Sequence, residues 1–186
     1  MTTDHTAQRS GHVIVLNGAS SSGKSTLARR LQDALAVPFL LLSADQLIEA
    51  GVLPRRRDTA GLFAWVGELR PRFFDGFHRC IPAVAAAGNN VIVEHVVEFV
   101  EWRAQLDDLL RGFDVFWVAV HCDVAEIDRR EAARGDRAPG EGRAHVEQNR
   151  IHDHGAYALH VDTTCGVSDA LVQAVVDAWS RARAKP

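Results

Sequence analysis

Cysteine is scarce in this chain: Cys80, Cys122 and Cys165 stand far apart and odd in number. That argues against a disulfide scaffold and reads as reduced, partly buried thiols of a cytoplasmic protein. Long apolar runs are missing too. A membrane helix needs about 20 consecutive apolar residues; no run here approaches that, so no membrane partner is expected. Nor does one sign of charge dominate. With 21 Lys and Arg against 24 Asp and Glu, the net charge is −3, which gives no footprint for a nucleic-acid partner. Internal repeats, linkers and low-complexity tracts are absent. The polar stretch Met1 to His12 lacks the apolar core of a signal peptide. What is present is an ordinary globular mix, 47% apolar and 24% charged over 186 residues. It is expected to form one domain over 1–186, with 1–11 as a flexible tail. A homo-oligomer is compatible with this composition.

Short apolar runs at His12–Leu16, Phe39–Leu42, Asn90–Glu94, Val115–His121 and Ala158–Val161 predict buried parallel strands. Helical periodicity covers Lys24–Ala36, Thr59–Ala87 with breaks near Gly67, Pro71 and Pro82, Glu98–Leu110, and Val124–Arg134. Ser168–Ala182 adds a last helix with Ser168 as its N-cap. The alternation predicts a three-layer α/β domain, a parallel sheet of about five strands flanked by helices. Ligands of such sheets bind beyond the carboxyl ends of the strands. Polar groups gather at those ends: Ser43-Ala44-Asp45, Glu94-His95, His121-Cys122-Asp123 and Asp162-Thr163-Thr164.

The end of the first strand carries the most informative motif. Gly18-Ala19-Ser20-Ser21-Ser22-Gly23-Lys24-Ser25 spells G-x-x-x-x-G-K-S, between an apolar run and a helical run opening at Thr26. Strand, tight loop and helix are the context a phosphate-binding loop needs. Glycine lets the backbone curl its N–H groups toward phosphate oxygens, and the helix N-terminus adds a positive end. Gly18 through Thr26 are therefore expected to hold ATP or GTP. Lys24 would reach the β- and γ-phosphates from an exposed position, and Ser25 would sit on Mg²⁺.

Other candidates follow from position. Asp45, after a second strand expected beside the phosphate loop, suits a general base for an acceptor hydroxyl and equally an N-cap. Glu94 ends the third strand, where an acid holds Mg²⁺ or its water shell. His95 either reaches the acceptor or stands as a hydrogen-bonded wall, the reading favoured here. Arg130, Arg134 and Arg137 recur at intervals of four and three and run into Gly135, Gly140 and Gly142. They suit a mobile cover over the charge of a transferring phosphoryl group, against the alternative of a solvated surface. His145, His152, His154 and His160 lack the partners that complete a tetrahedral metal site and read as surface or pocket residues. The aromatic-rich stretch with Trp65, Arg70, Arg72 and Phe73 is the candidate wall for a drug-sized acceptor.

Across nearly its whole length the chain resembles the chloramphenicol phosphotransferase-like enzymes. The likeness rests on Leu16-Asn17-Gly18 leading into Ser21–Ser25, on Asp45-Gln46-Leu47-Ile48-Glu49-Ala50, and on Gly88–Val93 and Trp117–Asp123. Arg130-Glu131-Ala132-Ala133-Arg134-Gly135-Asp136-Arg137 and Val161-Asp162-Thr163-Thr164 complete it. The resemblance implies a P-loop fold similar to nucleoside and shikimate kinases, with an arginine-bearing lid. It implies ATP and Mg²⁺ as cofactors and phosphorylation of a small-molecule hydroxyl, an antibiotic in the type member, where it confers self-resistance. It also implies that Asp45 is the base and that Arg130, Arg134 and Arg137 belong to the lid. Two local departures are that the family's third strand ends in aspartates where this chain has Glu94-His95, and that Tyr157 is followed by Ala158 rather than an acid. Gly51 to Phe77 matches little of the family pattern. The function expected is an ATP-dependent O-phosphotransferase acting on an antibiotic, chloramphenicol-like or a nucleoside of the capuramycin type. A zeta-toxin-like kinase of a primary metabolite or nucleotide sugar is the nearest rival, and a nucleotide-binding regulatory switch the rival from another class.

Overall fold

Alternation within each apolar run decides which side of the sheet a residue packs on. A computed structural model describes residues 10–53, 69–134 and 139–184. Five parallel strands, β1 (Val13–Gly18), β2 (Phe39–Ser43), β3 (Asn90–His95), β4 (Val115–His121) and β5 (Leu159–Asp162), lie in the order β2-β3-β1-β4-β5. Ile14 and Leu16 of β1 pack against Leu27 and Leu31 of α1 (Lys24–Ala34) and Val175 and Trp179 of α7 (Asp169–Arg183). Val13 and Val15 point the other way, toward Phe77 and Ile81 of α3 (Arg70–Ala86) and Leu106 of α4 (Val100–Leu109). With helices on both faces, both phases of the two-residue period are apolar, which is why the strands read as continuous runs.

The remaining helices, α2 (Ala44–Glu49), α5 (Val124–Arg134) and α6 (Glu141–Glu147), stand at the carboxyl edge of the sheet. Ser168 caps α7 as expected, its Oγ accepting from the Leu171 N–H at 3.1 Å.

Several expectations need correction. β2 does not neighbour β1: it pairs with β3, which in turn pairs with β1. Strand order follows the path of the crossovers, which no local pattern records. α3 runs unbroken through Pro82. Proline removes one donor there, but the buried face of Phe77, Ile81 and Ala85 holds the helix on the sheet across the gap. Pro71 lies in the first turn, where a missing N–H leaves no bond unmade. α4 starts at Val100, two residues later than its periodicity suggests, and α6 had no periodicity long enough to announce it. Cys80 and Cys165 are exposed rather than partly buried.

Candidate functional site

Gly18 hands β1 over to the phosphate loop. A Cβ at this position would lie 2.6 Å from the Val120 carbonyl oxygen and 2.9 Å from Ser22 Oγ, so only glycine fits between β4 and the returning loop. Ser21 and Gly23 take positive φ values of 59° and 89°. Gly23 is the N-cap of α1, where left-handed backbone favours glycine. Ser21 holds that conformation without this advantage, so its surroundings must impose it. The loop is tied down from outside as well. Thr163 Oγ1 donates to the Ser22 carbonyl, and the Ser20 N–H donates to His145 Nδ1 at 3.3 Å.

Lys24 is buried, not exposed as expected, and its Nζ donates to the Ala19 carbonyl at 2.6 Å. The loop curls back so that its own carbonyl receives the lysine. Among the described residues, the hydroxyl oxygens of Ser20, Ser21 and Ser22 are buried with no protein partner. Three such groups in one loop call for a polar ligand or ordered water.

Ser25 Oγ donates to Glu94 Oε1 at 2.6 Å, so a hydroxyl and a carboxylate from α1 and β3 meet at one point. The β2–β3 register sets Ser43 opposite Glu94. Ser43 occupies the N-cap position of α2 and Asp45 falls inside its first turn, so Asp45 is not the N-cap. There its negative charge meets the positive end of the helix.

Two cavities share this wall. One, of about 480 Å³, is bounded by the phosphate loop together with Arg29, Arg129, Arg130 and Arg134. The other, of about 70 Å³, is bounded by Arg70, Phe74, His95, Glu98, Trp102 and His145. Lys24, Ser43, Asp45 and Glu94 line both.

The smaller cavity is aromatic and charged at once. Arg70 pairs with Glu98, and its guanidinium lies 5.1 Å from the ring centre of Phe74 and 5.2 Å from that of Trp102. His95 stacks on Trp102, the rings 10° from parallel with centroids 5.6 Å apart. Its Nε2 stands 2.9 Å from Nε2 of His78. Burial holds His95 well below the usual histidine range, helped by His78, Lys24 and Arg70, and burial lowers His78 likewise. His95 is thus both hydrogen-bonded wall and cavity lining.

Of the other expected acceptor residues, Arg70 lines the cavity. Arg72 is exposed and away from it, and Phe73 packs edge-on against Phe74, which takes the lining position instead. Trp65 lies outside the described residues. Residue-by-residue reasoning missed Trp102 and Glu98, and named His145 only as a surface or pocket histidine, of which it is the pocket kind. Trp102 sits in an amphipathic helix that reads as core, and His145 sits in the helix that was not foreseen.

Arg130, an expected lid residue, is hydrogen-bonded within the protein in this structure. Its Nε donates to Glu126 at 2.8 Å and its Nη2 to the Thr163 carbonyl at 2.7 Å. Arg129 and Arg130 together hold Glu126 down at about 2. Four acceptors, the Ser21 carbonyl at 3.4 Å among them, surround this guanidinium, one turn before Arg134, and both arginines line the larger cavity. Arg137 lies outside the described residues. Buried Glu131 accepts from the N–H groups of Gly140 at 3.0 Å and Gly142 at 2.7 Å, fastening the start of α6 to α5. A Cβ on Gly142 would lie 2.5 Å from Ile127 and 2.7 Å from the Ser20 carbonyl. Glycine there lets α6 lie directly on the phosphate loop.

His152, His154 and His160 make hydrogen bonds within the protein. Among the described residues no helix is long and apolar enough to cross a membrane.

Comparison with known proteins agrees with this geometry. The family model of chloramphenicol phosphotransferase-like proteins matches residues 11–180. A protein of Mycobacterium tuberculosis strain H37Rv, provisionally named O-phosphotransferase Rv2636, is 30% identical over 173 residues, 83% of this chain and 76% of the relative. The APS kinase CysC of Mycobacterium tuberculosis, solved with AMPPNP and APS, superposes with a TM-score of 0.66 at 19% identity, covering 92% of this chain and 98% of that one. Shikimate kinase from Acinetobacter baumannii, solved with shikimate, gives 0.66 at 15% identity, with 96% and 98% covered. The chain belongs to the chloramphenicol phosphotransferase-like family, and its fold is that of the P-loop kinases. Family and fold together make it an ATP-dependent phosphotransferase.

Proposed function

We propose that this protein transfers the γ-phosphoryl group of ATP to a hydroxyl of an antibiotic, chloramphenicol-like or a nucleoside, in the cytoplasm, and so inactivates it. The observation that carries this reading is the shared wall: Lys24, Asp45 and Glu94 face a phosphate-loop cavity on one side and an aromatic cavity on the other. A volume of about 70 Å³ is too small for a whole antibiotic, so it receives only the reacting end of the acceptor.

In the transfer, the acceptor oxygen attacks the γ-phosphorus, the bond from that phosphorus to the bridging oxygen breaks, and ADP leaves. Asp45 takes the hydroxyl proton, a role that asks for a carboxylate on the acceptor side of the wall. Lys24 leaves the Ala19 carbonyl for the β- and γ-phosphates. Arg134 meets the charge spread over the equatorial oxygens, and Arg130 holds α5 to the phosphate loop and to the end of β5. The paired oxygens of Ser25 and Glu94 fit a Mg²⁺ site, directly or through water, and the orphaned serine hydroxyls fit a phosphate chain. When bound, Mg²⁺ neutralises phosphate charge.

The test is a phosphoryl-transfer assay with ATP and Mg²⁺ over a panel containing chloramphenicol, capuramycin-type nucleosides, sugars and nucleotide sugars. Phosphorylation of an antibiotic in preference to the sugars is the expected result. A nucleotide sugar turning over faster than every antibiotic would transfer the chain to the class of its nearest rival.

A further inference from the structure

Behind the smaller cavity runs a chain of hydrogen bonds that ends at the protein surface. Asp75 accepts from Gln105 Nε2 at 2.6 Å, Gln105 Oε1 stands 2.8 Å from His78 Nδ1, and His78 Nε2 stands 2.9 Å from His95 Nε2. The direction of this chain is set at its outer end. An ionised carboxylate accepts only, so Gln105 must turn its NH₂ to Asp75 and its oxygen to His78. That oxygen can only accept, so the proton of His78 sits on Nδ1. Buried and neutral, His78 then offers a lone pair at Nε2, and His95 must carry its own proton on Nε2 to donate there. The ring nitrogen of His95 left for the cavity it lines is Nδ1, as a bare acceptor.

We propose that His95 Nδ1 accepts a hydrogen bond from a donor group of the phosphoryl acceptor, a hydroxyl or amide N–H other than the one phosphorylated, and that Asp75, Gln105 and His78 fix the tautomer that makes this possible. His95 is thereby a binding residue that selects acceptors bearing two donors spaced to reach both Asp45 and the imidazole. Molecules with an ether or carbonyl at the second position meet two lone pairs face to face. The ring is held for this role by its stack on Trp102 and its edge contact with Phe77. A site that fixes donor and acceptor polarity discriminates more strongly against a mismatched group than an apolar pocket does.

This rests on the phosphotransferase reading for its substrate, but the tautomer is measurable without one. Long-range ¹H–¹⁵N correlation spectra of the histidine-labelled protein should show His95 protonated at Nε2 and bare at Nδ1. Gln105→Glu cannot donate to Asp75 while ionised, and it draws a second proton onto His78. In that variant the His95 proton should move to Nδ1. With the panel compound that is phosphorylated, His95→Phe keeps the stacked ring and loses Nδ1. It should raise KM for that compound at least about 10-fold, while KM for ATP changes by less than about 2-fold. Gln105→Glu should raise the acceptor KM in the same direction. A wild-type His95 protonated at Nδ1 overturns the proposal, as does an acceptor KM untouched by His95→Phe. If no panel compound is phosphorylated, the proposed function fails on its own, and the NMR spectra still decide the tautomer.

Discussion

The two cavities on either side of Lys24, Asp45 and Glu94 are built in opposite ways. The larger has the phosphate loop and the start of α1 as its floor, consecutive residues with backbone curvature set by Gly18 and Gly23, rimmed by side chains of α2, β3 and α5. The smaller is made of side chains drawn from α3, β3, α4 and α6, held by ring stacking, the Arg70–Glu98 pair and the histidine chain. Backbone built by consecutive residues binds what every member of a fold class binds, a phosphate chain. Side chains assembled from distant elements can change one at a time, and they set what differs between members. The nucleotide side should therefore respond to substitution with losses of rate for every acceptor, and the acceptor side with changes confined to particular acceptors.

The largest effect is expected on the wall itself. Asp45→Asn keeps size and helix position but cannot take the proton, and kcat should fall by about 10²–10⁴ with little change in melting temperature. A folded variant with nearly full kcat would remove Asp45 from the chemistry. On the nucleotide side, Lys24→Ala should lower kcat/KM by about 10²–10³ for every acceptor alike. Because Lys24 is buried against the Ala19 carbonyl, a modest drop in thermal stability should accompany it, measurable by calorimetry. Arg134→Ala should reduce kcat by about 10-fold or more while KM for ATP moves less, since the charge it meets develops in the transition state. Equal kinetics in this variant and the parent would return Arg134 to the solvated surface. Across the wall, Trp102→Leu removes the stack on His95 and the cation–π contact with Arg70. It should raise KM for the acceptor several-fold and leave KM for ATP alone. If both constants rise together, the two sides are not separable.

How much of each side was legible in the sequence follows from the same difference. The phosphate loop was readable because its residues are adjacent and its flanks fix strand and helix. Asp45 and Glu94 were readable as strand-end acids, although the strand order that brings them together was not. The acceptor side was largely opaque. Arg70 and His95 were named without their partners, while Phe74 and Trp102 carry no signal that separates a cavity wall from a core position. The bond from Arg130 to the Thr163 carbonyl spans 33 residues, a contact only the fold can create and no local pattern announces.

The smallest effect concerns pH. Burial, aided by His121, lowers His152 to about 4, below the unfolded value of about 6.5. The fold therefore favours the neutral ring, and the unfolded chain binds the extra proton first. Stability from this group is complete above pH 6.5 and is lost as pH falls toward about 4. Buried His78 and His95 are lowered in the same direction. Melting temperature should decline across that window, and His152→Gln should flatten part of the decline. A slope that the variant leaves unchanged would assign the acid sensitivity to other groups.

A wall that belongs to two chambers also makes their occupants thermodynamic partners. Whatever nucleotide does to the positions of Lys24 and Glu94 is felt by the acceptor, and linkage requires the acceptor to change nucleotide affinity by the same factor. The two ends also lie close enough to be tethered. One molecule joining an adenosine polyphosphate to an acceptor fragment would occupy both chambers at once, and its second contact would form at the high effective concentration a short linker provides. Such a bivalent inhibitor would take its affinity from the half shared across P-loop kinases and its selectivity from the half particular to this chain.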